Sequence, residues 1–147
     1  MVFRNNSELM EFLWDKTYRA LRAAQSTVYE IIKDYLRQFY EDYDPVLYER
    51  TEQLLCSLVR GDITPSKNGW VAEIYFDLSS LNYVTGAQPS GKQVMDAAAD
   101  GGHGAEGLRV MSGNTGVGVW YDPLQVLDQE AIRILRDRLI EEGITIK

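Results

Sequence analysis

Apolar residues recur every three or four positions from about Asn6 to Tyr40, and charged residues fill many of the positions between them. This spacing puts the apolar side chains on one face and predicts a long helix over residues 7–40. The apolar positions are Met10, Leu13, Trp14, Leu21, Ala24, Val28, Ile31, Ile32, Tyr35 and Phe39. Asn6 and Ser7 are good N-cap residues. A helix of about 34 residues would be roughly 50 Å long, so either it is kinked or broken, or one end reaches a neighbouring subunit.

A second helix is predicted near residues 45–59, because Pro45 suits a helix start after the first helix has ended. Its expected buried positions are Val46, Leu47, Leu54, Leu55 and Leu58. A loop then follows, marked by Gly61, Pro65 and Gly69. Residues 70–76 are rich in aromatic and β-branched types and predict the clearest strand. Its imperfect alternation suggests burial on both faces for part of its length.

Residues 78–121 are predicted to form short elements separated by glycine-containing loops. Residues 78–91 predict an extended loop, and residues 93–99 predict a short helix that Gly101 ends. A glycine-rich stretch continues to Gly116, and residues 117–121 predict a second strand.

Asp122 and Pro123 predict the start of the last helix, because an N-cap residue precedes proline at the first helical position. The helix is expected to run to about Glu142, with Gly143 as its cap and residues 144–147 as a candidate terminal strand. Its expected inward positions are Leu124, Leu127, Ile132, Leu135, Leu139 and Ile140. This element order predicts an α+β fold, with a long N-terminal helix and further helices packed on a small β-sheet.

Length and charge limit the classes of protein that remain. The 147 residues predict one domain, with a helical part over 7–59 and a mixed α/β part over 68–147. The net charge of −7 argues against binding DNA by bulk electrostatics, so no sequence-specific nucleic acid is expected. No stretch approaches ~18 consecutive apolar residues, so no membrane is expected. Cys56 is the single cysteine, which fits synthesis in a reducing bacterial cytoplasm.

The candidate catalytic groups are isolated residues. Cys56 and His103 could meet as a nucleophile and base, but Cys56 is expected to be a buried thiol on the apolar side of the second helix. His103 lies between glycines and is expected to pack locally. Residues 89–93 superficially resemble a phosphate loop, but Gln93 replaces the metal-binding Ser or Thr. We therefore expect no enzyme, no cofactor and no metal site.

Residues 43–54 contain the pattern Tyr-x-Pro-x-x-Tyr-x-Arg-Thr-x-x-Leu. It resembles a segment of minor capsid and tail-component proteins of tailed phages and Gram-positive prophages, where it also follows a long N-terminal helix. An aromatic strand followed by Tyr83, and a short helix ending in a Gly-His-Gly turn, extend the resemblance over residues 1–104. Glu52 departs from the pattern, because an aromatic residue is common there. The motif residues are Tyr43, Pro45, Tyr48, Arg50, Thr51, His103 and Gly104.

The resemblance implies a structural virion protein of the neck, a head–tail joining or tail-completion component that forms or completes a ring. Its expected partners are the connector, the tail terminator or the tail tube, in a homo-oligomeric ring. Tyr48 and Arg50 suit an interface, although Tyr48 could pack on the first helix and Arg50 could pair with a nearby carboxylate. A second hypothesis is a monomeric adaptor or inhibitor that binds a protein partner. A third is a small enzyme that uses Cys56 or His103.

Overall fold

One unbroken helix, α1 (Asn6–Glu41, 36 residues), is the longest element of the computed structural model, which describes residues 2–41, 52–81, 90–99 and 121–145. The predicted long helix is confirmed and shows no break. The cap is Asn5 and not Asn6 or Ser7, because the Asn5 Oδ1 atom accepts the Glu8 N–H at 2.9 Å. The Glu8 carboxylate in turn accepts the Arg4 N–H at 2.8 Å. The first bond satisfies a donor that the helix N-terminus leaves free, and the second ties the preceding residue to the first turn.

Helix α4 (Tyr121–Glu141) packs against α1 in the opposite direction. Glu142 pairs with Lys16 near the start of α1, whereas Leu127 belongs to the core cluster that contains Leu36, near its end. Tyr121 is helical, so its assignment to a second strand is wrong; residues 117–120 lie outside the described part. Proline at the third position of α4 is compatible with the helix, because the first turn needs no N–H from it.

The predicted cap of α4 is confirmed at Gly143. This glycine has φ of +85°, and its N–H donates to the Ile140 carbonyl at 2.9 Å. The Ile144 N–H donates to the Leu139 carbonyl at 2.9 Å, which completes a Schellman motif. The predicted terminal strand is not formed by Ile144 and Thr145, the two of its residues that the structure describes.

A short helix and an antiparallel hairpin follow α1 in the described part. The elements are α2 (Gln53–Ser57), β1 (Leu58–Arg60), β2 (Thr64–Ser66), β3 (Gly69–Val71) and β4 (Ile74–Phe76). The prediction that the second helix reaches residue 59 is wrong, because Leu58 and Val59 pair with Phe76 and Tyr75. The predicted loop around Pro65 is also wrong, because Pro65 lies in β2 opposite Trp70.

The hairpin contains a bulge between its two ladders. Arg60 pairs with Ile74 and Thr64 pairs with Val71. The three residues between β1 and β2 therefore face the two residues between β3 and β4. Burial alternates strictly along residues 70–76, which form the second strand of the hairpin and include β3 and β4. The half-buried residues are Trp70, Ala72, Ile74 and Phe76, and the exposed residues are Val71, Glu73 and Tyr75. The expected burial on both faces is therefore wrong, and the outward apolar side chains explain why the pattern looked imperfect.

Gln25 fixes the bulge to α1. Its buried side-chain Nε2 donates to the carbonyls of Gly61 and Glu73, both at 2.9 Å. The Gly61 N–H also donates to the Glu73 carbonyl at 2.9 Å. A bulge leaves main-chain groups without ladder partners, and buried groups of this kind need other ones. One amide therefore supplies a bond to each strand and sets the position of the hairpin on α1.

The core lies near the C-terminal half of α1, where α2, β1, α3 (Gly91–Ala99) and α4 converge. Its buried members are Ile32, Leu36, Phe39, Leu54, Leu58, Leu81, Ala98 and Leu127. The short helix predicted over 93–99 is confirmed as α3, although Gly101 lies outside the described residues. The α+β prediction is confirmed, with two small two-stranded ladders among helices.

The residues before and at the start of α3 form local hydrogen bonds that the sequence analysis did not predict. Ser90 and Gln93 form a capping box, in which the Ser90 N–H donates to the Gln93 Oε1 atom at 2.9 Å. Upstream, the Ser79 side chain and N–H donate to the Asp77 carboxylate, and these bonds lower the pKa of Asp77. The likeness of residues 89–93 to a phosphate loop thus reflects a helix start.

Replacement of Gln25 by methionine should destabilise the protein, because the Gly61 carbonyl loses its side-chain donor while the shape is kept. We expect a loss of about 1–3 kcal/mol in the free energy of unfolding, measured by urea denaturation. Gln38→Met on the exposed side of α1 is the matched control and should change stability by less than about 0.5 kcal/mol. Equal effects of the two changes would contradict the role of the amide.

Replacement of Gly91 by alanine should also destabilise the protein, because the added Cβ would collide with the main-chain carbonyl of Leu78. The backbone must shift, at an expected cost of about 1–3 kcal/mol in a thermal or urea melt. Gly69→Ala is the control, since a Cβ there meets nothing within 4 Å. An unaffected Gly91→Ala variant would show that α3 does not pack closely on residues 78–81.

Candidate interaction surface

The residues singled out from the sequence as a possible interface lie outside the described part of the chain. They are Tyr43, Pro45, Tyr48, Arg50, Thr51, His103 and Gly104. Their role at an interface therefore stays a prediction. The candidate surface below is built from residues that the structure describes.

An aromatic cluster joins the hairpin to the N-terminal half of α1. The ring centroids of Trp14 and Trp70 are 4.8 Å apart, and those of Tyr18 and Trp70 are 5.1 Å apart with the rings edge to face. The indole N–H of Trp70 donates to the Trp14 carbonyl at 3.1 Å. Such ring pairs contribute beyond their buried area, so Trp70 is held both by packing and by a directed bond.

An open apolar groove of about 310 Å³ runs beside this cluster, between α1, the hairpin turn and α4. We call it the tryptophan groove. Its lining residues are Met10, Leu13, Trp14, Thr17, Leu21, Asn68, Gly69, Trp70, Leu135 and Leu139. Ligand pockets usually have volumes of about 300–1,000 Å³ and combine a mostly apolar lining with a few convergent polar groups. This groove is at the small end of that range and mostly apolar, which suits an apolar side chain better than a polar metabolite.

An ion-pair cluster holds the end of α4 beside the groove. Glu142 pairs with Lys16 at 3.1 Å and with Arg19 at 3.2 Å, while Arg19 also pairs with Asp15 at 2.9 Å. The first two turns of α1 precede this cluster. Met10 is therefore exposed and not part of the buried face that the sequence pattern gave it.

Two outward faces carry large apolar side chains. On the hairpin, Val71 is 43% exposed and Tyr75 is 48% exposed. On α4, Ile132 is 80% exposed and Ile140 is 49% exposed. The predicted inward position of these isoleucines is wrong, as is that of Leu124, which is also exposed. Only the side of α4 that faces α1 is covered within the described structure, and Leu127 is the buried leucine there.

Cys56 is exposed, so the expectation of a buried thiol is wrong. Helix α2 is one and a half turns long, and it directs Leu54 and Ser57 inward. Cys56 lies two positions after Leu54, which is about 200° round the helix and therefore on the opposite side. Within the ranges that the structure describes, no group of three or more His, Cys, Asp or Glu side chains is arranged to hold a metal ion.

The comparisons with known proteins give a family. A family model described as YomN matches residues 5–140, which is nearly the whole chain. Comparison with curated proteins and with solved structures found no match. Among the described helices, none combines the length and apolar character needed to cross a membrane.

Replacement of Trp70 by phenylalanine should destabilise the protein by about 1 kcal/mol more than replacement of Trp14 by phenylalanine. Both changes shrink the contact between the two tryptophan rings, but only Trp70→Phe also removes the bond to the Trp14 carbonyl and shrinks the contact with Tyr18. Urea denaturation of the two variants measures the difference. Equal losses would show that the hydrogen bond contributes nothing net and that ring packing alone holds the hairpin.

Proposed function

We propose that this chain, which belongs to the YomN family, is a structural virion protein of a tailed bacteriophage or prophage. YomN is a phage- and prophage-associated name, so the match over residues 5–140 indicates a phage-related protein. That match is the observation that carries the proposal. The place proposed for the protein is the neck or the tail-completion region, where it forms or completes a ring with the connector, tail terminator or tail tube.

The dimensions of α1 support a role in an assembly. Its 36 residues extend about 54 Å at 1.5 Å per residue. A compact domain of this chain length has a radius of gyration of about 15 Å, which corresponds to a sphere about 38 Å across. Helix α1 is longer than such a sphere, and its first turns extend beyond the ion pairs at the end of α4. The exposed residues of its first turn are suited to contact a neighbour.

The charge and the surface of the chain also suit this role. A net charge of −7 disfavours adhesion to DNA, which must pass through the neck of a tailed phage. The exposed apolar side chains on the hairpin and on α4 suit contacts with other protein surfaces. Neither feature requires an active site, so the proposal assigns the protein no enzymatic activity and no cofactor.

The tryptophan groove favours a second candidate function, a monomeric adaptor or inhibitor that binds one protein partner. An apolar groove beside two tryptophans suits an apolar side chain or helix face of that partner. This candidate differs from the first in where the protein is found, because an adaptor acts outside the finished particle.

Mass spectrometry of purified particles, together with electron microscopy of a deletion strain, tests the proposal. We expect several copies of the chain per particle, and filled heads detached from tails when its gene is removed. Complementation with the intact gene is the control and should restore joined particles. Absence of the chain from purified particles, with normal assembly after deletion, would exclude the virion role and favour the adaptor.

A further inference from the structure

Two exposed ridges on this chain have the same order of side chains and opposite charge. The hairpin ridge consists of Val71, Glu73 and Tyr75, the outward residues of the second hairpin strand. The helix ridge consists of Ile132, Arg136 and Ile140, which follow one another every four residues along the exposed side of α4. Each ridge therefore presents a charged side chain between two apolar ones.

The spacing of the two ridges matches. Alternate residues of a strand are about 6.6 Å apart, and residues four apart on a helix are separated by about 6.0 Å along the axis. Over three side chains the ridges differ by about 1 Å. A helix laid along the strand can therefore set its two isoleucines against Val71 and Tyr75 while its arginine meets the carboxylate.

The central charges have no partners within the described structure. Glu73 contributes its main-chain carbonyl to the bulge, but no described residue pairs with its carboxylate. Two nearby arginines of α4 already form ion pairs within the chain: Arg133 pairs with Glu130, and Arg138 pairs with Glu141. Arg136 has no such pair among the described residues and stands between exposed isoleucines.

We propose that the helix ridge of one copy docks against the hairpin ridge of a second copy. This inference rests on the proposed ring and names the contact that builds it. The Arg136 guanidinium donates to the Glu73 carboxylate, and the flanking apolar side chains pack around the pair and exclude water. The two patches differ, so the contact is head to tail, and it closes into a ring when the rotation between copies allows.

Charge complementarity is the argument for a second copy as the occupant. Each docked contact brings one arginine against one glutamate at its centre, although each copy carries a net charge of −7. Three side chains on each partner form a small contact, below the size of standard stable interfaces. We therefore expect weak association in solution, strengthened when the ring closes and every copy makes two contacts.

Sedimentation velocity of the full chain and of two charge reversals tests the contact. The wild type should associate as its concentration rises from micromolar to millimolar, and added salt should weaken that association. Glu73→Lys and Arg136→Glu should each weaken it by about tenfold or more, because each sets like charges together. An equimolar mixture of the two variants should associate again, since every contact between one variant and the other joins opposite charges.

Matched controls separate this pairing from a general effect of charge. Glu30→Lys and Arg22→Glu change the net charge of the chain by the same amounts at exposed positions of α1. Both should associate as the wild type does. Thermal melts followed by circular dichroism should show all four variants folded, because neither Glu73 nor Arg136 uses its side chain within the described structure.

Three results would overturn the contact. They are a wild type that stays monomeric at millimolar concentration, charge reversals that act no differently from the controls, and a mixture that fails to associate. A monomeric wild type whose Arg136→Glu variant is lost from particles would assign the helix ridge to a different particle protein. The proposed function can fail independently of this contact. A chain that is found in particles but is monomeric in solution would disprove only the contact. A chain that associates with itself but is absent from particles would disprove only the virion role.

Discussion

The side-chain amide of Gln25 is the interaction on which the arrangement of the described elements depends. It reaches from the buried face of α1 to a main-chain carbonyl on each strand of the hairpin, at the bulge where ladder bonds are missing. A two-stranded hairpin has little stability alone. By holding the bulge against α1, the amide determines which face of the hairpin is buried. Trp70 consequently packs on Trp14, while Val71 and Tyr75 point outward.

The groove and the exposed apolar faces both result from the packing of two elements, α4 and the hairpin, on different sides of α1. Helix α4 lies on one side of α1 and the hairpin lies on another, and the tryptophan groove is the space between them. Each element buries only the side that faces α1. Its opposite side stays outward, and in both elements that side carries large apolar residues. A chain that functioned alone would gain little from these side chains, so their position supports the assembly role proposed above.

The parts of the fold that could be predicted depend on local chemistry. The apolar period of α1, the presence of α3 and the glycine cap of α4 could all be predicted, because each is set by residues within a turn or two of one another. The end of α2 was missed, because Leu58 continues a helical pattern and its strand geometry comes from pairing with Phe76, which is distant in sequence. The exposure of Cys56 was missed because its neighbours include several leucines, and only packing decided that Leu54 and Ser57 are the inward residues of α2.

The candidate surface also combines features that the sequence predicted and features that only the structure shows. Sequence motifs directed attention to Tyr48, Arg50 and His103, whereas the described surface centres on the tryptophans and on the outward faces of two elements. The sequence by itself determined the long first helix, the glycine cap of α4, the acidic charge and the family resemblance, because these reside in composition and short-range pattern. Only the tertiary structure decided that Ile132 and Ile140 face outward, that the strand face with Glu73 is the exposed one, and that Gln25 anchors the bulge. An apolar residue has the same tendency to be buried at any position of a helix, and which positions are covered is decided by the elements that pack against it.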